Sequence, residues 1–368
     1  MKSEFRTKYT YRDIASASEV VRELKNHPVR NICIVFDSNV ANVAIHDLLN
    51  QLNSNFSVTA QLTHDGKEPT TTLVDSLRLE MEKIEIDTII GIGGGSTLDL
   101  MKSLSVLHFQ TQPASMAQGV RLDLEKKLFS IAIPTTAGSG SEATKSAVLT
   151  NPHARIKRGI NHALVLPEIA FLVPSLLESI PDHVFVASIF DGFTHALESI
   201  IGLSGNETTQ ASARESIEIY MAQFELLRDA ETVQIHPKIL YASNLAGFAI
   251  CNSETGPVHA LSYPLSEYFH YGHGQAIGLL LSPTIKLYAT LDKNLATRIE
   301  LVADKTIDLL CEMLMSIYDK FVRPTLPSTL FEDIEKLATR SLELSGAISN
   351  CPVPWKREMS LTVLRQVV

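Results

Sequence analysis

The residues best suited to chemistry lie in the second half of the chain. In Phe190-Asp191-Gly192-Phe193-Thr194-His195-Ala196-Leu197-Glu198 the pattern is helical, and Asp191 and His195 stand four apart. That spacing places both side chains on one helix face. A carboxylate and an imidazole so arranged supply two ligands to one divalent ion. Far along the chain, His259 opens HALSYPL and His273 sits within HYGHGQAIG. Two imidazoles and a carboxylate suit Zn²⁺ or Fe²⁺, and a further imidazole makes four ligands, with an open position if the shell expands on binding substrate. Each histidine taken singly reads as a hydrogen-bonded core residue, so spacing alone leaves both readings open.

The first half carries a different chemistry. The apolar run Thr88–Ile92 leads into Gly93, Gly94, Gly95 and Ser96, after which Leu98, Met101 and Leu104 recur every third residue. This reads as strand, glycine turn and helix N-terminus. Glycines let the backbone approach a pyrophosphate, and the free N–H groups of the helix attract its charge. A structural turn with no ligand fits the same residues, because GIGGGS departs from GxGxxG in its last place. Asp37 ends an earlier apolar run, where a carboxylate can accept hydrogen bonds from an adenosine ribose and repel a 2′-phosphate, favouring NAD over NADP; an ordinary turn-forming Asp fits equally. A second loop, Pro134-Thr135-Thr136-Ala137-Gly138-Ser139-Gly140-Ser141-Glu142, follows another apolar run and offers further hydroxyls.

The elements that must position these residues change type along the chain. Asn31–Phe36, Ser57–Leu62, Thr88–Ile92, Phe129–Ile133 and Ile169–Val173 are short runs stopped by turn residues, which predicts buried strands. Helical stretches such as Ser38–Asn53 and Thr71–Lys83 separate them, and that alternation predicts a parallel sheet covered on both faces. After Pro174 the spacing is helical, as in Ile201–Leu227, Lys238–Ile250 and Ala296–Lys320. We therefore expect an α/β domain over 1–175 and an all-helical domain over 176–368. The 368 residues suffice for both. Composition excludes other classes. At 45% hydrophobic and 20% charged the chain is globular rather than disordered, and a net charge of −9 leaves no basic excess for nucleic acid. No membrane span or secretory leader is expected, and four scattered cysteines form no CxxC pair, consistent with a reducing cytoplasm.

Taken together, GIGGGSTLD at 91–99, IPTTAGSGSEAT at 133–144, DGFTHALES at 191–199, GPVHALSYPL at 256–265 and HGQAIGLLLSP at 273–283 resemble the iron-containing (group III) alcohol dehydrogenase family. The resemblance covers about residues 30 to 290 and continues weakly to the C-terminus. It implies an N-terminal dinucleotide-binding α/β domain and a C-terminal helical domain, with cofactor and metal held in a cleft between them, an architecture shared with dehydroquinate synthase. It implies that Asp191, His195, His259 and His273 hold one divalent metal, Fe²⁺ or Zn²⁺. It maps Gly93, Gly94, Gly95, Ser96 and Asp99 to the pyrophosphate loop, and Thr135, Thr136, Ser139 and Thr144 to the second cofactor loop. Asp37 falls at the strand-end position linked to NAD preference, and Lys157 at a family lysine near the cofactor. The implied reaction is hydride transfer between NAD(H) and an alcohol or aldehyde, with the metal as Lewis acid, in a cytoplasmic homo-oligomer, a dimer or larger.

One position departs from the pattern. Many members carry a histidine four residues after the third ligand, where this chain has Tyr263. Tyr263 or His270 stands in for it as a candidate catalytic group, and Tyr263 reads equally as a packing residue. A tyrosine there resembles phosphonoacetaldehyde reductases and oxidases of the terminal hydroxyl of an eight-carbon sugar acid. GKEPTTTLVD at 66–75 and PVPWKREMS at 352–360 look closer to the sugar-acid group. Two other readings compete: a lyase of the dehydroquinate synthase type using NAD and zinc, against which the Asp191/His195 pair argues, and a non-catalytic binding protein retaining the fold.

Overall fold

The computed structural model describes residues 4–40, 43–120, 122–154, 156–230, 232–325, 330–343 and 345–367. It divides into two compact units, Met1–Ile180 and Pro181–Val368. The division falls a few residues beyond the expected 175, because Leu176 still packs in the apolar core of the first unit.

The first unit is built on a six-stranded sheet. Its elements are β1 (Tyr9–Tyr11), α1 (Ala17–Leu24), β2 (Asn31–Asp37), α2 (Val43–Asn55), β3 (Ser57–His64), α3 (Thr71–Met81), β4 (Thr88–Gly93), α4 (Gly95–Leu107), β5 (Phe129–Pro134), β6 (Ser146–Asn151), β7 (Ile156–Asn161) and β8 (Ile169–Phe171). The strand order is β1-β8-β5-β4-β2-β3, and every pairing is parallel. Successive residues of a strand face opposite sides, and both sides are apolar here. Cys33, Val35 and Ile89 join the α3–α4 core, whereas Ile32, Ile34 and Ile90 join the α1–α2 core. The alternation of runs and helices is as the sequence led us to expect. The three-residue β1 and the antiparallel β6–β7 hairpin were not anticipated. Neither shows a long apolar run, since β1 lies at the sheet edge and the hairpin stands apart from the sheet.

From β2 the chain steps outward to β3, then returns past β2 to β4 and continues to β5. The connection direction reverses between β2 and β4, and ligands of open α/β sheets sit beyond the carboxyl ends of such a pair. Asp37 and Gly93 are those two ends.

The second unit is helical: α5 (Asp182–Ile201), α6 (Glu207–Arg228), α7 (Ile239–Ser253), α8 (Pro257–Phe269), α9 (His273–Leu291), α10 (Lys293–Ala303), α11 (Ile307–Phe321), α12 (Leu330–Ser341), α13 (Ser345–Ser349) and α14 (Arg357–Arg365). The helix expected over Ala296–Lys320 is two. Asp304 takes a left-handed conformation (φ 50°) that closes α10, and the Thr306 side chain accepts from the Leu309 N–H to open α11. The centre of the unit is α5, which packs against α6, α7 and α9. By length and composition α5 is apolar enough to cross a membrane, but 89% of that window is buried inside the protein. A helix apolar all round is what a central core helix requires. The four cysteines are buried and none is in a disulfide.

Candidate active site

In the second unit, one carboxylate oxygen gathers three imidazoles. Asp191 and His195 stand one turn apart on α5, as their spacing requires, and both are buried. His259 lies at the start of α8 and His273 is the first residue of α9. The Nε2 atoms of His195, His259 and His273 lie 3.5, 3.4 and 3.6 Å from Asp191 Oδ1. The donor atoms of Asp191, His195 and His259 all fall within 4.8 Å of one another. The His195 and His259 rings stack at 4.4 Å, and the His259 and His273 ring centroids are 5.6 Å apart.

This packing depends on α9 approaching α5 closely. A Cβ on Gly274 would lie 2.2 Å from the Ala187 carbonyl oxygen, so only glycine lets the first turn of α9 sit against α5 and deliver His273.

The donor set fits a divalent ion. Asp191 Oδ1 and His259 Nε2 are both buried without a hydrogen-bond partner. Buried polar atoms left so are costly unless an ion or water satisfies them. Two ligand atoms each about 2.1 Å from a tetrahedral ion lie about 3.4 Å apart, which is the spacing seen here. Burial pushes the Asp191 carboxyl up, but His195, His273 and His259 outweigh it and hold it well below the usual carboxylate range. Burial pushes the His259 imidazole down, but Glu198 and Asp191 outweigh it and raise it to about 9. A cation at these nitrogens takes the place of that proton, so binding and deprotonation are coupled.

Two side chains behind these candidate ligands escaped the sequence reading. Glu198 Oε2 accepts from His259 Nδ1 at 2.6 Å, and the carboxylate also accepts the Gly256 and Val258 N–H groups. Ser262 donates its hydroxyl to the His259 carbonyl and lies 3.4 Å from His273 Nδ1. Glu198 did leave a trace: it falls seven residues after Asp191 and three after His195, on the same face of α5. Tyr263, one turn beyond His259, stacks on the His273 ring at 5.5 Å with the planes 25° apart. His270 is instead exposed, in the left-handed position that caps the far end of α8.

In the first unit, Gly94 is the N-cap of α4 and provides no side-chain cap, so that helix presents its leading N–H groups uncapped by a side chain. The second loop is packed onto this turn. The Thr135 N–H donates to the Gly93 carbonyl, and the Thr135 hydroxyl is buried without a partner. A Cβ on Gly94 would meet Thr136 Cγ2 at 3.1 Å, and one on Gly95 would meet Ser139 at 2.8 Å. A bare helix N-terminus beside an unsatisfied hydroxyl fits a pyrophosphate. Ser96 is partly exposed in the first turn of α4. Asp37, at the neighbouring strand end, is partly exposed and accepts the Asn39 N–H.

Three other expected cofactor residues are turned onto the protein itself. Asp99 accepts from the Ser141 hydroxyl and the Val148 N–H, and pairs with the wholly buried Lys102 at 3.1 Å. Lys102 also donates to Ser141 O, Ser146 O and Thr144 Oγ1. Asp99 and Thr144 thus hold the second loop against α4. Lys157, on β7, pairs with Glu68 at 2.7 Å.

Comparison with known proteins follows this division. Residues 8–174 match the family described as iron-containing alcohol dehydrogenase, and residues 185–351 match the C-terminal part of the Fe-containing alcohol dehydrogenase family.

The chain belongs to the iron-containing alcohol dehydrogenase family.

Alcohol dehydrogenase 4 of Schizosaccharomyces pombe is 29% identical over 268 residues, 72% of this chain and 63% of that one, just under two thirds of its length. The 4-hydroxybutyrate dehydrogenase of Clostridium kluyveri is 30% identical over 250 residues, 67% of each chain. The solved structure of sulfoacetaldehyde reductase from Bifidobacterium kashiwanohense in complex with NAD⁺ is similar in fold (TM-score 0.86) at 21% identity, covering 100% of this chain and 98% of that one. The α/β first unit and helical second unit are those of this family's fold.

Proposed function

We propose that the protein is an NAD-dependent alcohol dehydrogenase holding one divalent ion, Fe²⁺ or Zn²⁺, on Asp191, His195, His259 and His273. The observation that carries this reading is the convergence of three imidazole nitrogens on one unpartnered, buried carboxylate oxygen. A divalent ion there supplies Lewis-acid charge toward a substrate oxygen, and NAD(H) accepts or gives the hydride. The residues of the chain do the positioning. Asp191 contributes the negative charge that a three-imidazole set lacks. The bare N-terminus of α4, with Gly93, Gly94, Gly95, Ser96 and Thr135, holds the pyrophosphate. Thr136 and Ser139 line the same turn, and Asp37 accepts from the ribose and disfavours a 2′-phosphate. Tyr263, rather than the exposed His270, exchanges the proton of the substrate hydroxyl. Asp99, Thr144 and Lys157 act by holding loops rather than by touching cofactor.

The substrate carries an acidic group. Two relatives are named for anions, 4-hydroxybutyrate and sulfoacetaldehyde. Tyr263 fits either the terminal hydroxyl of a sugar acid or a phosphonoaldehyde, and the segments at 66–75 and 352–360 lean toward the sugar acid, with the phosphonoaldehyde as the second choice. The enzyme works in the cytoplasm as a homo-oligomer, which sedimentation velocity measures directly. The deciding experiment is anaerobic reconstitution with Fe²⁺ or Zn²⁺, followed by a panel of sugar acids, phosphonates and simple alcohols with NAD⁺ and NADP⁺. We expect one ion per chain and NADH formation fastest with an acidic substrate. Absence of NAD(H) binding and of turnover across the panel would sink the proposal, while faster turnover of simple alcohols would overturn the substrate class alone.

A further inference from the structure

We infer that Glu198 is a positioning residue for the metal site, which fixes the tautomer of His259 and aims its Nε2 at the ion. The inference rests on the metal reading above and deepens it. Glu198 is 2% exposed on α5 and faces the first turn of α8. Three donors point at its carboxylate. Gly256 N–H and His259 Nδ1 lie 2.6 Å from Oε2, and Val258 N–H lies 2.8 Å from Oε1. Gly256, the N-cap of α8, brings no side chain to cap that helix. Any Cβ there would lie 2.8 Å from Glu198 Oε1, so the position is kept open for the carboxylate.

The chemistry follows from counting donors and acceptors. An imidazole that is neutral carries one proton, on either Nδ1 or Nε2. A carboxylate facing Nδ1 requires the proton to be there, and the lone pair then falls on Nε2, which points at Asp191 Oδ1 from 3.4 Å and has no partner of its own. The backbone donors hold the carboxylate still, so the ring orientation is set before an ion arrives. Groups hydrogen-bonded behind metal-bound histidines typically change affinity by about 10–100-fold when lost. Glu198→Gln tests this at constant shape. An amide has one accepting oxygen and one donating nitrogen, so in either orientation its NH₂ meets a donor. With its oxygen toward Val258 the NH₂ faces Gly256 N–H and His259 Nδ1, and His259 relieves its share of the clash by moving its proton to Nε2, which blocks the ion; with its oxygen toward Gly256 and His259 the NH₂ faces Val258 N–H, and His259 keeps its tautomer but loses the charged acceptor that holds it.

The experiment is Zn²⁺ titration of wild type, E198Q and H259A in competition with a chromophoric chelator, alongside thermal melting of the zinc-free proteins. We expect one tight Zn²⁺ per wild-type chain, about 10–100-fold weaker binding by E198Q, and none at that affinity by H259A. Affinity in E198Q equal to wild type, with H259A still deficient, overturns the role of Glu198 and leaves the metal site standing. Wild-type affinity in H259A overturns the metal reading and this inference with it. Should E198Q fail to fold, nitrogen-15 histidine spectra of zinc-loaded wild type decide the matter. A protonated Nδ1 and zinc-shifted Nε2 on His259 support the inference, and the reverse pattern ends it.

Discussion

At the residue scale, the second unit concentrates polar chemistry where burial makes it expensive. Asp191, His195, His259 and Glu198 are all nearly inaccessible, and each is explained by what it faces. Burial alone would drive Asp191 toward its neutral form; three imidazoles reverse that. The set is therefore self-consistent only as a unit. Tyr263 is the residue at which this chain departs from the commoner family pattern, and its ring lies on His273. Removing its hydroxyl separates the two roles open to it. In Tyr263→Phe, stacking survives and proton exchange does not, so kcat should fall by about 100-fold or more with metal content unchanged. Steady-state kinetics that show kcat retained would reduce Tyr263 to a packing residue. The four residues that converge were legible in the sequence as candidate ligands, because one helical turn separates Asp191 from His195 and because His259 and His273 sit in recognisable segments. Ser262 was not legible, since a serine beside a histidine is unremarkable until α9 brings His273 against it.

Elements act here as supports whose spacing is set by small residues and buried charges. The turn before α4 and the loop after β5 touch through glycines. Gly95→Ala would place a methyl 2.8 Å from Ser139 and push that loop away from the helix N-terminus. NADH affinity, followed by fluorescence, should fall about tenfold, equivalent to about 1.4 kcal/mol, while zinc affinity stays as in wild type. Loss of both together would mean the substitution unfolds the protein rather than the turn. Lys102 is the other support. Its ammonium, 0% exposed, meets Asp99, two carbonyls and a hydroxyl, tying α4 to the start of β6. Lys102→Met fills the same space and strands the Asp99 carboxylate. Breaking a buried pair in this way costs about 3–5 kcal/mol. Thermal denaturation should show a drop on the order of 10 °C, and a melting point within a degree of wild type would show the network to be dispensable. Nothing in the local pattern announced Lys102. A lysine on an amphipathic helix is ordinarily solvated, even with Asp99 three residues before it, and its other partners lie some forty residues on.

At the scale of the whole molecule, stability should depend on pH in one direction on the acid side. Burial is the leading cause that pushes His27, His64, His108 and His236 below their ordinary 6.5. Below that pH the unfolded chain takes up protons that the folded chain refuses. Their contribution is therefore complete above about 6.5 and is lost as pH falls toward the depressed folded values. The zinc-loaded protein, in which His259 carries no proton at Nε2, should melt at progressively lower temperature from about pH 7 to about pH 5. It should change little from about pH 7 to about pH 8. A melting temperature flat across the acid range would show that these histidines protonate freely in the fold.

What the amino-acid sequence determined unaided is whatever neighbouring residues encode. Runs stopped by Gly and Pro marked the strands, 3.6-residue spacing marked the helices, and the change between them near residue 175 separated the two units. The glycines before α4 and the Asp191/His195 pair were readable for the same reason, since each is a statement about one turn of chain. The broken helix at Asp304 was missed because a left-handed cap on a non-glycine residue leaves little mark in a hydrophobic pattern. Only the tertiary structure decided the rest. It brought Nε2 of His259 and His273 to the same oxygen as His195, set Glu198 behind His259, and enclosed Lys102. Those contacts join residues 39 to 82 positions apart, and their distances follow from how closely helices and loops pack, which Gly274, Gly256 and Gly95 permit but do not by themselves dictate.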